Sequence, residues 1–131
     1  MELLGISEKI EKSIRINKIN ENEIKIEANI FFSDNTKFEV YLMQDKKGNK
    51  ILTDKRRTLN YMNDFYDLKS DDVQASIASV LDLYDIKIYH NALVYKIKET
   101  DDIETVYFEF ISCIGQLINM FVFFDKPKDD D

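Results

Sequence analysis

Asp54 stands at the end of a predicted strand, close in sequence to Asp45 and Glu39, and is followed by Lys55, Arg56 and Arg57. Carboxylates gathered at a strand end can hold a divalent cation, and adjacent cations can hold a phosphate, which together would suit a metal-dependent nuclease. Such a site needs several carboxylates and a lysine converging on one point, and no spacing here forces that convergence. Asp54 as a cap of the following helix is the more economical reading. Glu23-Ile24-Lys25 has the Glu-x-Lys spacing of one nuclease fold, yet with 33% of the chain charged such a triplet is expected by chance. His90, the single histidine, falls at a predicted hairpin tip with no nucleophile indicated beside it, and reads as a turn residue. Cys113 falls on an apolar helical stripe and reads as a buried, inert thiol. Gly5, Gly48 and Gly115 are isolated and build no phosphate-cradling loop. The sequence predicts no metal centre and no cofactor, and it favours a role other than catalysis while leaving nuclease-like chemistry as the alternative.

Charge is the stronger signal. The net charge of −7 disfavours general nucleic-acid binding, but its placement is uneven. Lys46, Lys47, Lys50, Lys55, Arg56 and Arg57 face Asp54 alone within residues 46–57; setting that stretch aside leaves 24 acidic residues against 12 basic ones. Asp64, Asp67, Asp71, Asp72, Asp82 and Asp85 share their stretch with only Lys69, and no cation appears between Glu99 and Asp125, where Asp101, Asp102 and Glu104 lie. Fields of this kind steer partners.

The elements that must position these residues follow from periodicity. Leu3, Ile6, Ile10 and Ile14 predict a short amphipathic helix, broken by the Asn-rich sequence around Asn17 to Asn22. Ile24 to Phe32 alternates as a half-buried strand; Ser33 to Thr36 has turn chemistry; Phe38, Val40 and Leu42 resume the alternation. After the turn at Asp45 to Asn49, residues 50–54 add a third strand. Thr58 to Tyr66 reads as a short helix, and Ser70 caps a stronger one bearing Val73, Ile77, Val80, Leu81 and Tyr84. Ile86 and Ile88, then Leu93, Tyr95 and Ile97, alternate around a His90-Asn91 turn. Asp101 to Phe124 is a long, largely apolar helix, with Asp101 and Glu104 spaced as a capping box. The expectation is one α+β domain over residues 1–124, in which a three-stranded meander and a hairpin pack on helices, with a disordered acidic tail over 125–131.

Compartment is read from what is missing. The run from Phe110 to Phe124 is fifteen residues long and contains Ser112, Gly115, Gln116 and Asn119, whereas a span needs about 20 mostly apolar residues. It reads as core, or core plus a homodimer contact. The charged N-terminus lacks the features of a signal peptide, and a single cysteine suits a reducing compartment, so a cytoplasmic location is expected.

Ile51-Leu52-Thr53-Asp54, followed by Thr58-Leu59, resembles an uncharacterised domain family of Gram-positive bacteria and their phages. In that family a strand ends in Leu-Thr-Asp, a short helix follows, and a second helix leads to a Tyr-Gly-Val-like strand start. Tyr84-Asp85-Ile86 is the counterpart here, and the Leu93 strand and the terminal helix around Ile114 to Asn119 match in order. The similarity covers Asn20 to Phe123; where the family continues with an acidic residue and glycine, this chain carries Lys55, Arg56 and Arg57. The resemblance implies a bacterial, often phage-borne or mobile-element setting, and no established activity.

Two function classes follow. The first is a protein-binding module, an accessory or anti-defence protein whose acidic stretches imitate nucleic-acid phosphates and occupy a nucleic-acid enzyme of the host. The second is nucleic-acid contact or cleavage through the basic residues of 46–57. Tyr41, Tyr61, Tyr66, Tyr89 and Tyr107 are expected half exposed, as tyrosines at binding surfaces are.

Overall fold

Alternation of apolar and polar residues puts Ile24, Ile26 and Ala28 of one strand, and Phe38, Val40 and Leu42 of the next, on a single face, and all six are buried. A computed structural model describes residues 14–32 and 35–120. The predicted helix face at Leu3, Ile6 and Ile10, the turn residues Ser33 and Asp34, the segment Phe121 to Phe124 and the tail 125–131 lie outside the described residues. In chain order the elements are β1 (Ile14–Asn20), β2 (Glu23–Phe31), β3 (Lys37–Gln44), β4 (Lys50–Thr53), α1 (Arg57–Met62), α2 (Asp71–Tyr84), β5 (Lys87–Tyr89), β6 (Ala92–Lys96) and α3 (Ile103–Ile118). The fold is α+β.

One antiparallel sheet contains all six strands, in the order β1-β2-β3-β4-β6-β5. Its first strand corrects the sequence reading, which ended a helix at Ile14 and broke the chain at Asn17. Ile14 and Ile16 alternate with Arg15 and Asn17, so the segment has period two, and it pairs with β2 through Ile14–Ala28 and Ile16–Ile26. The asparagines make the turn instead: Asn20 Oδ1 accepts the Asn22 amide at 2.8 Å. The meander therefore has four strands, and β6 joins it by pairing with β4 through Leu52–Tyr95.

The rows of the sheet separate core from surface. Lys18, Ile24, Leu42, Leu52 and Tyr95 follow one another across five strands on the face that holds the core. Asn17, Lys25, Tyr41, Thr53, Val94 and Lys87 form the corresponding row on the opposite face. Helix residues Met62, Ile77, Leu81, Phe110, Ile114 and Leu117 join the core face in one cluster.

Helix boundaries depart from expectation by small steps with identifiable causes. Asp102, not Asp101, caps α3: its Oδ2 accepts the Thr105 amide at 3.2 Å and the Thr105 hydroxyl at 2.7 Å. Asp101 has another employment, described below. Ser70 sits at the N-cap of α2 without a side-chain hydrogen bond, and Asp71 and Asp72 occupy the first turn, where the helix dipole favours them. At the β5–β6 turn His90 and Asn91 have φ of 49° and 65°, the positive pair that a two-residue primed turn requires. Tyr66 and Tyr107 are buried rather than half exposed, because both fall on the inner sides of their segments. Among the described residues no helix is long and apolar enough to cross a membrane.

Phe110 lies at the middle of the buried stripe of α3 and is 1% exposed. Phe110→Ala should cost about 3–5 kcal/mol, the transfer free energy plus the cavity, read as a lowered midpoint in urea unfolding; a shift equivalent to less than about 1 kcal/mol would contradict this packing.

Candidate functional site

Asp54 is the one buried carboxylate among the described residues, at 2% exposure. Its Oδ1 accepts the amides of Arg56 at 3.1 Å and Leu93 at 2.9 Å, and its Oδ2 accepts the Thr58 amide at 2.9 Å. Arg56, in left-handed backbone, is the N-cap of α1, and Asp54 acts from two residues before it, meeting the Thr58 amide of the first turn and reaching the neighbouring strand β6 as well. Lys55 and Arg56 turn the chain back toward this carboxylate with φ of 52° and 74°, a left-handed pair that is costly for side-chain-bearing residues. Cys113 lies beneath, fully buried; burial first, and the Asp54 charge second, push its thiol up to about 12. Such a thiol is protonated and inert at neutral pH.

The six basic residues of 46–57 do not form one patch. Lys46 and Lys47 occupy the β3–β4 turn and Lys50 begins β4, whereas Lys55, Arg56 and Arg57 follow its far end. Lys55 follows Lys50 by five residue steps, about 16 Å at about 3.3 Å per extended residue. The second group is largely engaged within the molecule. Lys55 pairs with Glu23 and lies over the Tyr41 ring at 4.1 Å; Arg57 donates to the Thr36 hydroxyl and lies over Phe32 at 5.0 Å. Arg56 is exposed.

Lys47 and Lys50 meet acidic residues instead. A cleft of about 550 Å³ runs between the β3–β4 turn and the approach to α3, lined by Lys47, Lys50, Lys98, Glu99, Asp101 and Asp102. Asp101 builds its floor: its Oδ2 accepts the Lys98 amide and the Tyr95 hydroxyl, both at 2.7 Å. Those bonds, the amide's first, hold the Asp101 carboxyl below the usual carboxylate range, while burial and then the same bond raise the Tyr95 hydroxyl. Lys98 and Glu99 were not distinguished by the sequence, because they sit in an irregular connection with no periodic pattern. Asp45, once considered for a metal, instead organises its own turn by accepting the Lys47 and Asn49 amides at 2.9 and 2.8 Å. Among the described residues no group of three or more His, Cys, Asp or Glu is placed to hold a metal ion.

The acidic residues divide into structural and free ones. Asp101 and Asp102 are engaged as described, Asp67 accepts the Lys69 amide at 3.0 Å, and Asp85 pairs with Lys98 at 3.2 Å. Glu104 is half-buried in the first turn of α3. Asp64, Asp71, Asp72 and Asp82 are exposed and carry no ion pair among the described residues. Lys25 lies 3.2 Å from Glu27 and 3.7 Å from Glu39, the former foremost in raising its pKa, and Lys18 pairs with Glu21. Large apolar side chains stand beside the free carboxylates: Leu83 is 75% exposed next to Asp82, and Phe65 is exposed next to Asp64.

No family model matches the chain, and neither the curated proteins nor the solved structures contain a match to it.

Asp54→Ala would strand the buried Thr58 and Leu93 amides, each left unpaired at about 1–3 kcal/mol. A loss of about 3 kcal/mol in denaturant unfolding is expected, and a loss below about 0.5 kcal/mol would refute the bridging role. Asp101 generates a pH dependence. Because its folded value is lowered, its stabilisation is complete above the ordinary carboxylate range and is lost as pH falls toward that lowered value. Unfolding curves of the native chain and Asp101→Asn should therefore converge on acidification; a gap independent of pH would be evidence against the assignment.

Proposed function

We propose that this chain is a small acidic binding module that acts by occupying a basic surface of another protein through its helical layer. One observation carries the reading: Lys18, Lys25 and Lys55 on the sheet side are paired with Glu21, Glu27, Glu39 and Glu23, while Asp64, Asp71, Asp72 and Asp82 of the helical layer are exposed and carry no ion pair among the described residues. Exposed carboxylates around exposed Leu83 and Phe65 supply long-range attraction and a desolvating contact together.

Imitation of nucleic-acid charge is the specific form we favour. Asp71 and Asp82 are eleven residues apart on α2, about 16 Å at about 1.5 Å per residue. One strand of B-DNA carries about five phosphates over that rise, against the three carboxylates of α2, Asp71, Asp72 and Asp82. The match is partial in density, and Asp64 and Asp67 extend it beyond the helix N-terminus. In the phage or mobile-element setting that the sequence resemblance implies, such a module would serve as an accessory or anti-defence protein acting on a nucleic-acid enzyme of the host.

Nucleic-acid contact through residues 46–57 is less well supported. The six cations lie at two ends of β4, and Lys55 and Arg57 already have partners.

Capture experiments from a bacterial lysate, with and without nuclease, separate the two. The native chain should retain a defined protein partner after nuclease treatment. Reversing Asp64, Asp71, Asp72 and Asp82 to lysine should weaken that retention at least tenfold, whereas Asp101 and Asp102 are left untouched because they hold the fold. Retention unaffected by the reversal, or lost on nuclease treatment, would overturn the reading.

A further inference from the structure

The two edges of the sheet are unequal. At one end β5 is three residues long; at the other β1 runs from Ile14 to Asn20, and among the described residues no strand pairs with its outer side. Such an edge presents a row of backbone donors and acceptors. The side chains of β1 also stop short. Ile14 and Ile16 continue the core rows of Ala28 and Ile26, which are 5% and 1% exposed, yet both isoleucines are only half buried. Both pack against the core cluster beside β2, and no described strand lies on their outer side.

We propose that β1 is the seam of a homodimer, in which Ile14 to Lys18 pairs antiparallel with the same segment of a second copy, centred on Ile16. The occupant is argued from register and charge. Between Lys18 and Asn20 the pairing with β2 shifts, so Ile19 is a bulge and the regular part of the edge is Ile14 to Lys18, whose midpoint is Ile16. With Ile16 opposite Ile16, Ile14 faces Lys18 of the second copy and Arg15 faces its Asn17. No cation opposes a cation, and the aliphatic stem of Lys18 covers Ile14.

The alternatives are worse on the same grounds. A register one residue further along sets Arg15 opposite Lys18 and turns the two core faces to opposite sides of the joined sheet. Parallel pairing in register would stack Arg15 on Arg15 and Lys18 on Lys18. The favoured arrangement is isologous and closes on itself, with both helical layers on one side of a twelve-stranded sheet that retains only the short β5 edges.

Sedimentation of the full chain tests the stoichiometry: a species of twice 15.5 kDa is expected at high concentration, dissociating on dilution. Cysteine pairing tests the register. Under mild oxidation Ile16→Cys should give a covalent dimer, since directly opposed residues lie about 4.5–5.5 Å apart at Cα. Ile14→Cys and Lys18→Cys, each about 13 Å from its own copy at about 3.3 Å per residue, should not cross-link alone but should do so when mixed. These two positions keep the readout available if a change at Ile16 disturbs folding, and native Cys113 is buried and serves as the unreactive background. A chain that sediments as a monomer at every concentration, or a dimer in which the mixed cysteines fail to join, would overturn the proposal.

Discussion

The arrangement depends on a carboxylate taken out of water at the end of β4. Burying Asp54 has a large desolvation cost unless protein donors replace water, and three backbone amides, from the turn, from α1 and from β6, do so. The same bonds hold Lys55 and Arg56 in left-handed backbone that neither residue prefers. One side chain thus fixes where the meander ends, where the first helix begins and how the returning hairpin lies. Its proximity to Cys113 ties it also to the underside of α3.

Around this fixed point the molecule divides its charge by layer. On the outer face of the sheet Glu27 and Glu39 stand directly opposite each other, and Lys25, two residues along β2, pairs with both and offsets their repulsion. Helices offer a different geometry, in which residues three and four apart are neighbours. The sequence of α2 places no cation at those distances from Asp71, Asp72 or Asp82. The exposed face of α2 therefore carries negative charge with no partner on the helix, whereas Lys25 and its glutamates compensate one another on the sheet.

Much of this was legible in the residues. The stripe of Ile103, Val106, Phe110, Ile114 and Leu117 identified α3 as the buried helix, and alternation identified β2, β3 and β6. β1 was missed because Ile14 fits a helical stripe with Ile10 as well as an alternation with Ile16, and only pairing with β2 decides between them. The capping box at Asp101 was off by one because Asp101 and Asp102 are chemically equivalent in sequence; Tyr95 and the Lys98 amide claim the former. The basic cluster of 46–57 was an artefact of counting along the chain. A short strand runs through its middle and carries its halves apart. The cleft that joins Lys47 and Lys50 to Glu99 and Asp101 depends on β4 pairing with β6, which no local pattern encodes.

That pairing is also the most expensive in loop entropy. β1 to β4 form a meander whose contacts are close in sequence, but the bond from Asp54 to Leu93 closes a loop of 39 residues, an entropic cost of about 3 kcal/mol before any reward from contact. The hairpin of β5 and β6 is local in itself, whereas its pairing with β4 spans α1 and α2. The sheet is continuous in space and discontinuous along the chain: its seam between β4 and β6 is the one junction between neighbouring strands that a short turn does not supply.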